Sequence, residues 1–142
     1  MPKRREPEAF LPLTPAIAHI LLALADQDRH GYAIMQEVER ITDGAVRMGP
    51  GTLYGTVKRM IASGLIEEAD ERPHPEADDE RRRYYRATSL GRAVLEAETA
   101  RMSALLSAAR AKRSGHDDTA SRTRLRTPAL PLSARPARGA RR

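Results

Sequence analysis

The chain has 142 residues, with 25 basic and 19 acidic side chains, a formal net charge of +6 and no cysteine. That length accommodates one domain with appendages, and the lack of cysteine excludes disulfide frameworks and thiolate metal sites. The four histidines (His19, His30, His74, His116) have no pair at metal-ligand spacing, no apolar run approaches the ~20 residues that span a bilayer, and residues 1–8 are charged where a secretory leader would be apolar.

The expectation is a cytoplasmic protein without metal, cofactor or membrane partner. Its charge is unevenly spread. Residues 113–142 hold eight arginines against Asp117 and Asp118, which is +6, whereas residues 1–112 balance 17 basic against 17 acidic side chains.

Residues 1–13 read as an arm, with Pro2, Pro7 and Pro12 and with Phe10, Leu11 and Leu13 available to dock on a neighbouring surface. Thr14-Pro15 is a helix start, a capping side chain followed by a residue whose fixed φ suits the first helical position. Ile17, Ile20, Leu21 and Leu24 then recur at helical spacing. His30-Gly31-Tyr32 opens a second helix with Ile34, Val38 and Ile41 on its apolar face, closed by Asp43-Gly44.

Gly49-Pro50 starts a third helix, in which Leu53, Val57, Met60 and Ile61 form the buried stripe. Its opposite face carries Gly51, Gly55, Lys58, Arg59 and Ala62. Little side-chain bulk lets a helix backbone approach another surface closely. Double-stranded DNA fits, because its major groove admits a helix and its phosphates attract Lys and Arg. An ordinary surface helix also fits, since an interior glycine costs only about 1 kcal/mol. Ser63-Gly64 ends the helix.

Leu65–Ala69 and Arg82–Ala87 are strand candidates, joined across the charged, proline-containing segment 70–81 as a hairpin with a long tip. Tyr84 and Tyr85 should point to opposite faces, leaving one in the core. Thr88 caps a fourth helix, expected to reach about Arg113. Leu95, Met102 and Ala109 recur every seven residues with Leu105 and Leu106 beside them. A seam of this kind on so small a domain calls for a partner helix, although folding back on its own domain would also bury it. From Ser114 the composition is Ser/Thr/Arg/Pro/Ala-rich, the signature of a disordered basic tail.

Three helices followed by a hairpin is the order of a winged helix-turn-helix, in which the third helix enters the major groove. The predicted fold is therefore mainly α with a small β-hairpin (α+β). It divides into an arm (1–13), a winged helix-turn-helix domain (14–88), a dimerisation helix (89–113) and a tail (114–142).

The ordered set His30-Gly31-Tyr32-Ala33-Ile34, Gly49 through Gly55, Arg59, Gly64-Leu65-Ile66 and Arg81 through Gly91 resembles the PadR family of bacterial transcriptional regulators, over about residues 14–110. The single long C-terminal helix resembles the shorter subgroup. The resemblance implies a homodimer built from the C-terminal helices and the first helix. It also implies two recognition helices in successive major grooves of a pseudo-palindromic operator, usually with repression. On that reading Ile17 and Leu21 join Leu95, Met102, Leu105, Leu106 and Ala109 at the dimer contact, and Tyr32 lies near DNA. Some relatives bind small aromatic effectors between subunits. With no tryptophan and one phenylalanine in this chain, such a pocket is in doubt.

The residues themselves assign further roles. Lys58 and Arg59 face phosphates or guanine edges, though glutamates of the same domain are competing partners for Arg59. Gly51 and Thr52 offer free N–H groups at a helix start. Tyr54 flanks the face, between core and groove. Arg81, Arg82 and Arg83 follow four acids, so they form either a phosphate-gripping wing or a self-neutralised loop. Two other functions compete with operator binding: a winged-helix protein-interaction module, and a nonspecific nucleic-acid binder driven by the tail. An enzyme is not expected, for want of a nucleophile–base set, a phosphate-cradling loop or a metal cluster.

Overall fold

The computed structural model describes residues 5–69 and 83–126, with side chains through residue 116. Thr14 opens α1 (Pro15–Ala23): its hydroxyl accepts the Ile17 amide at 3.3 Å, and Pro15 fills the first helical position. Helix α2 (Gly31–Ile41) is capped by a side chain that sequence reasoning passed over. The Ala33 amide donates to Nδ1 of His30 at 3.1 Å. This helix closes as expected at Asp43 (φ 53°) and Gly44 (φ 81°). The Gly44 amide reaches back to the Glu39 carbonyl at 2.8 Å, a left-handed turn that satisfies a terminal carbonyl. Helix α3 (Pro50–Ala62) ends the same way through Gly64 (φ 80°), the Leu65 amide donating to the Met60 carbonyl at 2.9 Å.

The hairpin is one strand larger than expected. Strands β1 (Arg29–His30), β2 (Ile66–Glu68) and β3 (Tyr84–Ala87) form an antiparallel sheet in the order β1-β3-β2. With two residues, β1 is too short to leave a periodic signal; it forms because His30 pairs with Tyr84 and Arg29 with Tyr85. The central place of β3 buries both of its tyrosines, which face opposite sides with one in the core, as expected. Tyr85 packs into the core, and Tyr84 on the other face is covered edge-to-face by the His30 ring at 5.3 Å.

The core joins Ile20 and Leu21 of α1 and Leu24 just past its end, Ile34 and Val38 of α2, and Leu53, Val57 and Met60 of α3. Each such side chain contributes about 1.5–3 kcal/mol through burial. In α3 the fourth buried position is Thr56 rather than Ile61, which is exposed. Thr56 tolerates burial because its hydroxyl donates to the Thr52 carbonyl at 2.7 Å.

Helix α4 runs Ser89–Arg126, past the expected end near Arg113, so the first part of the expected tail is helical. Residues 127–142 lie outside the described residues. Two units divide the chain, residues 1–102 and 103–142. The first turn of α4 sits tightly on the turn after α3. Thr88 donates its amide to the Leu65 carbonyl (3.1 Å) and its hydroxyl to the Gly64 carbonyl (2.6 Å). A Cβ on Gly91 would meet the Leu65 carbonyl oxygen.

One further α4 residue holds the arm. Phe10, Leu11 and Leu13 pack against the core as expected. The Leu13 amide donates to Glu98, a carboxylate only 2% exposed and bound by Arg101 at 2.7 and 3.0 Å. The Arg101 hydrogen bond holds the Glu98 carboxyl below its ordinary value of 4.5 against the opposing effect of burial, and the Leu13 amide adds to the lowering. A carboxylate lowered by folding stabilises the fold above its unfolded value and loses that contribution as pH falls through its folded value. Glu98→Gln is therefore expected to cost about 1–2 kcal/mol at neutral pH, the Arg101 side being partly hydrated. The gap to the parent should close below pH 4.5. Urea melts at a series of pH values measure it, and a gap that does not vary with pH would contradict it.

Candidate nucleic-acid interface

The exposed face of α3 is made by the glycines and basic residues that the helical period set opposite the core. Gly51, Thr52, Lys58 and Arg59 are exposed and Gly55 is partly so. A Cβ added at Gly49 or Gly51 would meet nothing within 4 Å, and one at Gly55 would meet only the Arg59 guanidinium at 3.8 Å. These glycines are not needed for packing within the chain. At the start of α3 the helix supplies amides without intrahelical partners, and no side chain caps them.

Arg59 is oriented from within α3. Its Nη2 donates to the buried Thr56 hydroxyl at 3.2 Å, which sets the guanidinium beside Gly55. Among the described residues no carboxylate pairs with Arg59 or Lys58, so the competing glutamate partner for Arg59 is not found there. Thr56 was missed from sequence because a threonine at a helical core position reads as a break in the apolar stripe.

The two flanking tyrosines are placed differently. Tyr54 is 48% exposed, yet its hydroxyl end lies over the α-carbon of Gly31 in the first turn of α2; a Cβ there would collide with it. Gly31 is thus the residue that lets α2 and α3 meet at this edge, and a glycine at a helix start, where it is intrinsically costly, was the available signal. Tyr32, the next residue on α2, is 59% exposed. His30, Gly31 and Tyr32 therefore divide into a cap, a gap for Tyr54 and a free aromatic ring.

Of the three wing arginines, Arg81 and Arg82 lie outside the described residues. Arg83 pairs with Glu68 across β2 and β3 at 3.2 Å, both side chains largely hydrated. Its neighbour Arg86 pairs with Glu67 at 2.8 Å. Arg83 is thus partly neutralised by Glu68 of β2; the four acids before the arginine run, which the loop reading invoked, lie outside the described residues.

The residues assigned to a dimer contact also separate. Leu21 is fully buried in the core of its own chain and presents nothing to a partner, which corrects its assignment; it lies on the α1 stripe that packs on α3 and under Gly91. Ile17 and Leu95 are partly buried against that core. Met102, Leu105, Leu106 and Ala109 are exposed along α4.

The Transcriptional regulator PadR-like family model matches residues 20–97, more than half of the chain and the whole of α2, α3 and the sheet. The chain belongs to the PadR-like family. Transcriptional regulator Rv3488 of Mycobacterium tuberculosis is 43% identical over 77 residues, covering 54% of this chain and 65% of that protein. An uncharacterized 37.1 kDa protein in transposon TN4556 of Streptomyces fradiae is 37% identical over 86 residues, covering 61% of this chain but only 22% of that protein. The chain thus spans less than two thirds of the length of these two curated relatives.

Among solved structures, a PadR family transcription regulator from Clostridium difficile R20291 aligns with a TM-score of 0.53 at 23% identity, covering 67% of this chain and 94% of that one. A transcriptional regulator from Clostridium thermocellum aligns at 0.55 and 23%, covering 67% and 86%. At that identity the likeness concerns the fold, a winged helix with a long C-terminal helix. The family is described as one of transcriptional regulators. Among the described residues no group of side chains suits a metal ion, and no helix is long and apolar enough to cross a membrane.

Proposed function

We propose that this PadR-like chain is a homodimeric repressor that sets α3 of each copy into successive major grooves of a pseudo-palindromic operator. The observation that carries the reading is the outward α3 face: Gly51 open to solvent and Gly55 partly so, Lys58 free of described acids, and Arg59 held beside Gly55 by Thr56. A bare helical edge flanked by cations matches a groove with phosphates on its rims. Tyr32 and Tyr54 flank this edge. The span 14–88 then serves DNA, and α4 serves pairing through Met102, Leu105, Leu106 and Ala109. Selection of bound sequences from random DNA tests it. One inverted repeat, with half-sites about one helical turn apart, is the expected product; failure to enrich any sequence would overturn the reading.

Two substitutions probe its parts. Lys58→Ala should weaken binding to every duplex and lower the salt dependence, log K against log salt, by about one unit, the change expected when a single phosphate is no longer neutralised. Parallel salt titrations of variant and parent would remove Lys58 from the interface. Met102→Asp sets a charge in the middle of the apolar α4 stripe, where pairing would desolvate it. It should convert the dimer to monomer at micromolar concentration, with light scattering as the readout. A variant that scatters as the parent dimer excludes that stripe as the contact.

A further inference from the structure

Among the described residues, Arg29, Arg40, Arg47, Arg83, Arg86 and Arg101 each pair with a carboxylate. Arg59 is held differently. Its side-chain partner there is the Thr56 hydroxyl, at 3.2 Å. A carboxylate would cancel the charge and take up a pair of donors, whereas a neutral oxygen fixes the group and leaves its charge. The holder is itself fixed. Thr56 is 1% exposed, and its hydroxyl hydrogen is committed to the Thr52 carbonyl at 2.7 Å, so its oxygen faces Arg59 as an acceptor.

The place where the guanidinium rests is equally specific. Side chains of a helix lean toward its N-terminus, which carries the Arg59 head over the preceding turn. It lies beside Gly55, with Nη1 3.8 Å from where a Cβ would stand. Arg59 is thus folded along α3 rather than extended from it. A head folded back in this way reaches only what the helix surface itself reaches. In a major groove that is the edges of the bases, because Gly51 and Gly55 put no side chain in the way. The phosphates on the rims suit a flexible ammonium such as that of Lys58. A guanidinium has five N–H donors in a planar fork, of which Thr56 takes one. The rest include a pair that matches the two acceptors O6 and N7 of guanine, a pattern that no other base edge presents.

We infer that Arg59 is the base reader of α3, selecting a guanine in each half-site, and that Thr56 is the positioning residue that holds its guanidinium against the helix for that contact. The inference rests on the reading that α3 enters the grooves of an operator, and its test separates the two.

The test uses the full chain and the inverted repeat selected from random DNA. Each guanine of the repeat is replaced in turn, in both half-sites, by 7-deazaguanine, which lacks the N7 acceptor. Affinity is followed by fluorescence anisotropy, beside that for a random-sequence duplex. The parent should lose about tenfold or more at one guanine. Arg59→Ala, a change at an exposed position, should no longer sense that replacement. Thr56→Val removes the holding hydroxyl and keeps a β-branched side chain of similar helix propensity. The freed Arg59 must then be ordered on binding, so the repeat should be bound about 3- to 10-fold more weakly, and the random duplex within about twofold of the parent. The loss at the replaced guanine should shrink as well. Thr56→Ser returns the hydroxyl and should return both properties; Thr56→Ala takes the place of the valine variant if valine disturbs packing. A parent indifferent to every replacement, or an Arg59→Ala chain that senses each guanine as the parent does, overturns the inference and leaves DNA binding standing. A Thr56→Val chain that binds the repeat as the parent does, or that weakens on both duplexes alike as a merely structural residue would, also overturns it. Failure to select any repeat overturns the operator reading, and this inference with it.

Discussion

Gly91→Ala is expected to lower stability by about 2 kcal/mol and the thermal midpoint by roughly 8–16 °C. The new Cβ would occupy the space of the Leu65 carbonyl oxygen and crowd Leu21 Cδ2 at 3.2 Å. A side-chain end can rotate away, but a carbonyl cannot. This one also accepts the Thr88 amide that fixes the start of α4. Overpacking of this kind costs up to about 3 kcal/mol, and alanine returns about 1 kcal/mol of helix propensity over glycine. Thermal melts with circular dichroism read the result. A midpoint equal to that of the parent would mean that α4 and the α3–β2 turn slide apart freely, and that the glycine is not what seats the helix.

Gly55 is the opposite case, a helical glycine whose removal should help the fold and harm the function. With only the Arg59 guanidinium near an added Cβ, Gly55→Ala is expected to stabilise the chain by about 1 kcal/mol through propensity alone. Gly55→Glu should remain folded, yet bind the operator more weakly by a factor of about 100 or more. It sets bulk where the helix backbone must approach the groove, and a negative charge among phosphates. Stability by urea melt and affinity for the selected operator, measured on the same preparations, separate the two effects. A Gly55→Glu protein that binds the operator as the parent does would remove the α3 face from DNA recognition. Gly91 and Gly55 thus form a stringent pair: the same residue type, each in a helix, with opposite signs expected for the same substitution.

Much of the architecture was open to reading from local signals. Thr14-Pro15 and Gly49-Pro50 mark helix starts because capping and a fixed φ are local properties, and Asp43-Gly44 and Gly64 mark ends because positive φ is a local demand. The 3.6-residue period separated Leu53, Val57 and Met60 from Gly51, Gly55 and Lys58 without knowledge of any partner element. The length of α4 was underestimated because Ser114 and the arginine-rich composition after it resemble a disordered tail, and the run Ser114-Gly115-His116-Asp117-Asp118-Thr119 consists of weak helix formers, so local propensity gave no sign that the helix continues.

What pairwise proximity decides could not be read in this way. Strand β1 exists because β3 lies beside it, and two residues carry no period of their own. His30 is a cap and a lid on Tyr84, Gly31 is a gap for Tyr54, and Thr56 is a holder for Arg59; each role depends on an atom brought close by folding. Leu21 shows the same limit. A periodic apolar residue on α1 fits a core and a partner surface equally well until its neighbours are known, and here Gly91 and the core enclose it. Helix boundaries, the facing of α3 and the charge imbalance follow from the order of residues along the chain, because backbone geometry and net charge act over a few positions or over the whole. Which side chain meets which depended on tertiary packing, because contact is a property of space, and residues as far apart in sequence as Leu13 and Glu98 become neighbours only when the chain has closed on itself.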